Sequence, residues 1–141
     1  MTILATGAAR AALAAGLLLA AGGLARASAL DGTWLTESHE TQVRFAPCGA
    51  AECGTIVWLK QPRNDAANPD AGKRSRPLIG TVFVYDLKPD GAQRWSGRLY
   101  NFENGKTYDG SLELKDANAL KLSGCMLGGL LCRSQTWTRL P

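Results

Sequence analysis

The sequence predicts an all-β protein: a single antiparallel meander β-barrel of about eight or more strands, preceded by an N-terminal signal peptide helix. Turn signals recur at short intervals, with PDG at 89–91, NG at 104–105 and GG at 128–129 as the clearest examples. The segments between them alternate in polarity or are rich in β-branched and aromatic residues, and no helical period follows the leader. Strands at this spacing are typical of a barrel or sandwich, and closure into a barrel removes exposed edges.

The first 29 residues have the features of a secretory signal peptide. Arg10 is the only charged side chain before an apolar run from Ala11 to Leu24, and small residues at 27–29 provide a signal-peptidase site. The apolar run is shorter than the ~20 residues that span hydrocarbon, so we favour cleavage after Ala29 over a membrane anchor. This predicts a leader at 1–29, a barrel domain at 30–141, and an exported protein, periplasmic or secreted, without stable membrane insertion.

The charge of the chain argues against nucleic-acid binding. The sequence has 16 basic and 12 acidic side chains, and two of the basic ones, Arg10 and Arg26, belong to the predicted leader. The densest basic group is Lys73, Arg74 and Arg76, which we interpret as part of a solvated loop. A surface that follows phosphates needs clustered positive charge, so no nucleic-acid partner is predicted.

The four cysteines all follow the leader and predict two local disulfides. A Gly-Gly turn in CMLGGLLC would place Cys125 opposite Cys132, where Cα atoms of opposed residues lie ~4.5–5.5 Å apart, within disulfide range. A turn at 50–51 would place Cys48 against Cys53 in the same way. Zinc is the alternative for four thiolates, but the spacings C-x4-C and C-x6-C suit it poorly. We therefore predict no metal and no cofactor.

Eight segments have the composition and alternation of strands. They are GTWLTE, TQVRFAP, GTIVWLK, LIGTVFVYDLK, QRWSGRLYNF, KTYDGSLEL, ALKLSGCML and LLCRSQTWTRL. The exception is the stretch 61–77, which is polar, contains three prolines and is predicted to form a long loop. Long loops in small domains are often functional, so this one is also a candidate lid.

Hairpin registers assign side chains to the two faces of the sheet, because successive residues of a strand point to opposite sides. A two-residue turn at 104–105 opposes Asn101 to Tyr108, and the bridge between Cys125 and Cys132 lies outside. Unless a β-bulge reverses the alternation in the last strand, these registers assign one set of residues to the interior of the barrel. The inward residues are Trp95, Leu99, Asn101, Tyr108, Leu112, Leu114, Leu120, Leu122, Met126, Arg133, Gln135, Trp137 and Arg139.

The predicted interior is mostly apolar with a few polar groups, which is typical of small-ligand sites. A buried Arg133 would need a carboxylate partner or a hydrated cavity, because an unpaired buried charge is costly. The candidate ligand-binding residues are Trp58, Trp95, Tyr108, Arg133, Gln135 and Trp137. The orientation of Trp58 is the least determined of these, because GTIVWLK is apolar on both faces. An eight-stranded barrel can also be filled by its own side chains, so the sequence leaves two alternatives, a ligand cavity and a filled core.

Several motifs together resemble one bacterial family. They are DGTW at 31–34, CG at 48–49, CGTIVWL at 53–59, DxxNP at 65–69, RPLIG at 76–80, GKTY at 105–108 and QTWTR at 135–139. In this order they resemble the secreted family known as domain of unknown function 2147, over residues 31–139. The resemblance implies an exported antiparallel barrel similar to lipocalins and fatty-acid-binding proteins, and it implies no established activity.

Lipocalins also begin with Gly-x-Trp and pack an arginine from near the C-terminus over that tryptophan. The resemblance implies this structural role for Gly32, Trp34 and Arg139. A cation–π contact of this kind contributes ~0.5–2 kcal/mol and would close one end of the barrel.

Catalytic patterns are weak in this sequence. His39 is the only histidine and lies among polar residues at a predicted turn, where a solvated cluster is the common outcome. A serine nucleophile would have to use this histidine, and no strained nucleophile turn is found. Asp65, Asn68 and Asp70 offer oxygen ligands but lack the calcium-loop spacing.

The sequence therefore predicts a non-enzymatic envelope protein that binds a small apolar or amphipathic ligand inside the barrel. The second hypothesis is an interaction module with a filled core, whose 61–77 loop or outer surface binds protein or peptidoglycan. An enzyme is the third.

Overall fold

The computed structural model describes residues 12, 14–16 and 28–141, and these form a closed barrel of eight antiparallel strands in meander order. Pairing of the last strand with the first, through Trp34–Arg139 and Leu35–Thr138, closes the sheet. The predicted all-β meander barrel is confirmed. The strands are β1 (Gly32–Leu35), β2 (Thr41–Cys48), β3 (Ala51–Leu59), β4 (Val82–Pro89), β5 (Arg94–Asn101), β6 (Lys106–Asp116), β7 (Ala119–Met126) and β8 (Leu131–Arg139).

Helical structure in the described part of the chain is limited to two short 3-10 turns, at Ala71–Lys73 and Leu127–Gly129. Across the described ranges, no helix has the length and apolarity needed to cross a membrane. The predicted signal peptide, residues 1–29, lies mostly outside the described residues.

The core fills the end of the barrel at which the chain enters β1. Its side chains alternate along the strands as the sequence predicts, and the inward positions of β6 and β7 are confirmed by the burial of Leu112, Leu120 and Leu122. Each fully buried side chain of this size stabilises the fold by ~1.5–3 kcal/mol. The largest fully buried apolar residues are Trp34, Trp137, Phe45, Leu30, Ile56, Leu78, Leu87, Leu112, Leu120, Val43 and Val84.

Both predicted disulfides are present, Cys48–Cys53 and Cys125–Cys132, with Cα separations of 5.5 and 4.1 Å. The register of the β7–β8 hairpin is also as predicted, since Cys125 lies directly opposite Cys132. Its turn uses Gly128 and Gly129 at φ 65° and 92°, the left-handed conformations that such two-residue turns require.

The predicted register of the β2–β3 hairpin is wrong by two residues. Cys48 pairs with Ala51 rather than with Cys53, so the turn residues are 49–50 instead of 50–51. Gly49 accounts for the difference, because it takes φ 66°, which costs glycine less than it costs alanine. The disulfide therefore joins a diagonal pair of the ladder.

The β5–β6 connection also differs from the prediction. Asn101 pairs with Lys106 and Leu99 with Tyr108, so four residues form the loop instead of two. The amide of Gly105 donates to the Asn101 carbonyl (2.8 Å), and the Asn101 side chain accepts from the Glu103 amide (2.8 Å). Since this register shift is two residues, every side chain keeps its predicted face.

Candidate ligand-binding cavity

The barrel contains a cavity of about 740 Å³ that opens at the end opposite the filled core. Its mouth is formed by the β1–β2, β3–β4 and β5–β6 connections and by the adjoining ends of β7 and β8, at Met126 and Leu131. The interior of the barrel is therefore filled at one end and open at the other. A volume of this size falls within the roughly 300–1,000 Å³ of typical small-molecule sites.

The floor of the cavity is apolar and centres on Trp137. Its indole ring lies 6.2 Å from the Phe83 ring at 25° and 6.1 Å from the Phe45 ring, measured between centroids. The indole Nε1 donates to Gln135 Oε1 (2.7 Å), which satisfies the polar edge of a side chain that is 2% exposed. Leu59, Leu99 and Leu122 complete the apolar wall.

The rim of the cavity is polar and carries more positive than negative charge. Arg63 forms an ion pair with Glu103 (2.6 Å) and lies over the Phe102 ring (5.3 Å). Within the described residues, the other rim cations have no carboxylate within 4.0 Å. The charged rim residues are Glu40, Lys60, Arg63, Glu103, Lys106 and Arg133.

Four of the six predicted ligand-binding residues line the cavity: Tyr108, Arg133, Gln135 and Trp137. They lie on β6 and β8 and face the interior, as the hairpin registers predict. Arg133 is exposed at the mouth and has no carboxylate partner among the residues that the structure describes, so its guanidinium is accessible to water instead of being buried unpaired.

The prediction for Trp58 is wrong, because its side chain is on the outer surface and 39% exposed. Gln42 pairs with Trp58 and Val43 with Ile56, so Val57 is an extra residue at a β-bulge. The bulge reverses the alternation of β3, which turns Leu59 inward and Trp58 outward.

Trp95 points into the barrel as predicted, but the prediction that it lines the cavity is wrong. Trp95 is buried and pairs with Leu112, but it belongs to the filled core and does not line the cavity. It comes at the start of β5, whereas the cavity contacts that strand only from Leu99 onward.

The long 61–77 loop is held by a buried carboxylate whose role the sequence reasoning missed. Asp65 is completely buried and accepts a hydrogen bond from the Tyr100 hydroxyl (2.6 Å) on β5. It also accepts from Asn68 Nδ2 (2.8 Å) and from Arg76 Nε and Nη2 (3.2 and 3.0 Å). The sequence signal for this role is the DxxNP motif, whose polar residues Asp65 and Asn68 are both buried in the structure.

The hydrogen bonds at Asp65 determine its charge and that of its partner. Burial alone would raise the pKa of Asp65, but hydrogen bonds from Tyr100, Asn68 and Arg76 outweigh it and lower the pKa below its ordinary value. Burial, together with the bond to Asp65, raises the pKa of Tyr100 to about 12. Near neutral pH the carboxylate is therefore charged and the phenol keeps its proton.

The loop also packs closely against the rim. A Cβ atom at Gly105 would overlap the carbonyl oxygen of Ala67, so the β5–β6 turn and the loop are in direct contact. Arg74 Nε donates to the Asn68 carbonyl (2.8 Å) and fixes the fold of the loop from within. Gln61 and Arg63 form part of the cavity wall, so the loop is a fixed side of the mouth in this structure.

The opposite end of the barrel is closed by Arg139. Its guanidinium lies 4.3 Å from the centre of the Trp34 ring and donates to the carbonyls of Asp31, Ala29 and Ala117 (2.7, 2.6 and 2.7 Å). Gly32 takes φ 126°, which residues with a side chain rarely adopt, and a Cβ there would lie 2.9 Å from Arg139 Nη1. The three residues of the lipocalin-like motif are thus in one structural contact.

The described residues contain no group of three or more His, Cys, Asp or Glu side chains placed to hold a metal ion. His39 is exposed and takes φ 61° in the β1–β2 turn.

Comparisons with known proteins agree with this architecture. The family described as "Uncharacterized protein conserved in bacteria (DUF2147)" matches residues 32–139. Among solved structures, HP1028 of the human pathogen Helicobacter pylori, described as belonging to the lipocalin family, is similar with a TM-score of 0.72 and 25% sequence identity, over 79% of this chain and 83% of that chain. The search of curated proteins found no match. The chain therefore belongs to the DUF2147 family and has a lipocalin-like barrel.

Proposed function

We propose that this protein is an exported, non-catalytic binding protein that holds one small amphipathic molecule in its barrel. The observation that supports this best is the cavity of about 740 Å³, with an apolar floor and a polar rim. Such a site buries the apolar part of a ligand and leaves its polar end near water. The similarity to a protein of the lipocalin family supports the same proposal at the level of fold.

The floor favours a hydrocarbon or ring system as the buried part. Contact with Phe83, Leu122 and Trp137 removes apolar ligand surface from water, at ~25 cal/mol per Å². Because the Trp137 nitrogen already donates to Gln135, the floor offers no free indole donor to a ligand. The floor therefore selects by shape and apolar area.

The rim favours an acidic polar end. Lys60, Lys106 and Arg133 lie at the mouth without an ion-pair partner among the described side chains, whereas Glu103 is paired with Arg63. A guanidinium matches carboxylate and phosphate geometry, and lysine adds mobile positive charge. The proposed ligand class is thus an apolar molecule with one carboxylate or phosphate.

Export is the second part of the proposal. Two disulfides are typical of proteins from oxidising compartments, and the leader-like sequence at 1–29 would direct the chain there.

A different function, an envelope interaction module, is favoured by an apolar group on the outer wall. Trp58 on β3, Ile79 in the β3–β4 connection and Val82 at the start of β4 are 39, 39 and 43% exposed. Exposed apolar surface of this kind often marks a protein contact. The two hypotheses differ in the residue whose substitution should weaken binding: Arg133 for a ligand in the cavity, and Trp58 for a protein on the outer wall.

The experiment is native mass spectrometry of the protein purified without detergent from its own envelope, followed by titration with a dansyl-labelled fatty acid. We expect a bound mass that denaturation releases, and saturable binding of the probe. Arg133→Ala should weaken that binding about tenfold, corresponding to the loss of one charged contact.

The matched control is Arg44→Ala, which removes an exposed arginine from the outer face of β2. Equal binding by the wild type and both variants would refute a role of the rim, and failure of the wild type to bind any amphiphile would refute the cavity proposal. Capture of an envelope protein that is lost in Trp58→Ala would favour the interaction module instead.

A further inference from the structure

The closed end of the barrel continues upstream of β1 as an ordered turn. The amide of Asp31 donates to the Ser28 carbonyl (3.0 Å), and the amide of Leu30 donates to Ser28 Oγ (3.2 Å). The nitrogen of Ser28 itself donates to Asp31 Oδ2 (3.1 Å). The backbone of Ser28 is therefore hydrogen-bonded to both the backbone and the side chain of Asp31, the residue that precedes the first strand.

Ala29 is also part of this end of the barrel. Its carbonyl accepts from Arg139 Nη2 (2.6 Å), beside the Asp31 carbonyl that accepts from Nη1 (2.7 Å). The next residue, Leu30, is fully buried, and its carbonyl accepts from Trp34 Nε1 (3.0 Å). Ala29 and Leu30 thus provide acceptors for the arginine and the tryptophan that close the barrel.

Cleavage after Ala29, the position favoured by the sequence pattern alone, would remove the contacts made by Ser28 and Ala29. The Asp31 amide would lose its acceptor, and Arg139 would lose one of three carbonyl partners. The sequence contains a second small-x-small site, Ala25-Arg26-Ala27, two residues upstream. Cleavage there would leave every one of these contacts intact.

We propose that the leader is removed after Ala27, so that the mature chain begins at Ser28 and its α-ammonium binds the Asp31 carboxylate. This rests on the export part of the proposed function. Signal peptidase would hydrolyse the Ala27–Ser28 peptide bond with one water: the carbonyl carbon of Ala27 gains the water oxygen and becomes a carboxylate. The Ser28 nitrogen gains both protons and becomes an ammonium.

The new charge arises where the fold has a surplus of carboxyl groups. Asp31 Oδ1 and Glu52 Oε2 are buried and find no hydrogen-bond partner among the described residues. Burial and the charge of the neighbouring Asp31 carboxylate raise the pKa of Glu52 to about 7. The cation already present, Arg139, is directed at the backbone carbonyls. The Ser28 ammonium would supply the counter-charge.

The first test is N-terminal sequencing and intact-mass measurement of the full chain after export in a bacterial host. A mature chain that starts at Ser28 supports the proposal. A start at Leu30 overturns it and leaves export standing, whereas a chain that keeps residue 1 overturns both.

A matched pair of variants separates the two cleavage sites. Ala25→Leu changes the third residue before the proposed bond, and Ala29→Leu changes the residue immediately before the competing one. We expect Ala25→Leu to lose the mature chain that starts at Ser28, with either the precursor or a chain that starts at Leu30 in its place, and Ala29→Leu to be processed at Ser28. Loss of processing in Ala29→Leu overturns the proposal, whatever Ala25→Leu does.

The ammonium contact has its own readout. In an NMR titration of the mature protein, the pKa of the Ser28 α-amino group should lie above its ordinary range of about 7.7–8.0, because the Asp31 carboxylate favours the charged form. Asp31→Asn keeps an oxygen acceptor but removes the charge, so the pKa should return toward that range. An ordinary value in the unsubstituted mature protein would refute the contact.

Discussion

The Tyr100 hydroxyl donates a 2.6 Å hydrogen bond to the carboxylate of Asp65, which is completely buried in the long β3–β4 loop. Tyr100 belongs to a strand that lines the cavity, so this bond connects the loop directly to the cavity wall. A bond to a buried charged acceptor contributes more than a neutral one, because an unsatisfied buried charge is expensive. The position of the loop therefore depends on this pair.

Replacement of Tyr100 should show that dependence. Tyr100→Phe removes one of the donors to Asp65 and should lower the free energy of unfolding by about 1.5–3 kcal/mol, measured by urea denaturation. Tyr85→Phe is the control, since this partly exposed tyrosine on β4 has no side-chain hydrogen bond among the described residues. Equal small losses in both variants would contradict a special role of the Asp65 bond.

The same carboxylate gives the protein an acid-sensitive element. Because the folded pKa of Asp65 is lower than its unfolded value of about 3.9, its contribution to stability is present above that pH and is lost as the pH falls through the folded pKa. Asp65→Asn should therefore be less stable than the wild type at neutral pH, and the difference should shrink below about pH 4. A difference that is independent of pH would refute this linkage.

The cavity can be filled from Gly124 without strain. A Cβ at this position would lie 3.8 Å from Leu99 Cδ1 and 3.9 Å from Tyr108 Cβ, which is ordinary contact. Gly124→Phe should occupy the cavity and abolish binding of the dansyl-labelled fatty acid, with the barrel still folded by circular dichroism. Undiminished binding would place the ligand elsewhere.

A second glycine provides the contrast. At Gly110 a Cβ would lie 3.2 Å from both Leu99 Cδ1 and Cγ, in the packed wall. Gly110→Ala should therefore lower the thermal midpoint by overpacking, at a cost of about 1–3 kcal/mol, with ligand affinity per folded molecule retained. Equal stability of wild type and Gly110→Ala would show that this wall relaxes.

The two inward arginines of β8 should differ in their effects. Arg139→Ala removes three hydrogen bonds to carbonyls and the contact with Trp34, and should lower the free energy of unfolding by more than about 2 kcal/mol. Arg133→Ala, at the exposed mouth, should change it by less than about 0.5 kcal/mol. Chemical denaturation of both variants measures the two values, and a reversed order would contradict the assignment of opposite ends.

Much of the barrel could be predicted from local patterns, because strand alternation and hairpin turns act over a few residues. The Gly-Gly turn sets the register that opposes Cys125 to Cys132 and turns Arg133 and Trp137 inward. Even where the turn was predicted at the wrong residues, as at 104–105, the register was wrong by two residues, so each side chain kept its predicted face.

The sequence by itself determined the class of fold, the two disulfides and the face of most strands, since these follow from a period of two and from turn chemistry. Tertiary structure decided the rest. The bulge at Val57 turned Trp58 outward, and the stagger of the closed barrel placed Trp95 in the filled end and Trp137 at the cavity floor. Asp65 found its partner 35 residues away. These features depend on where strands distant in sequence meet after closure, which no local pattern encodes.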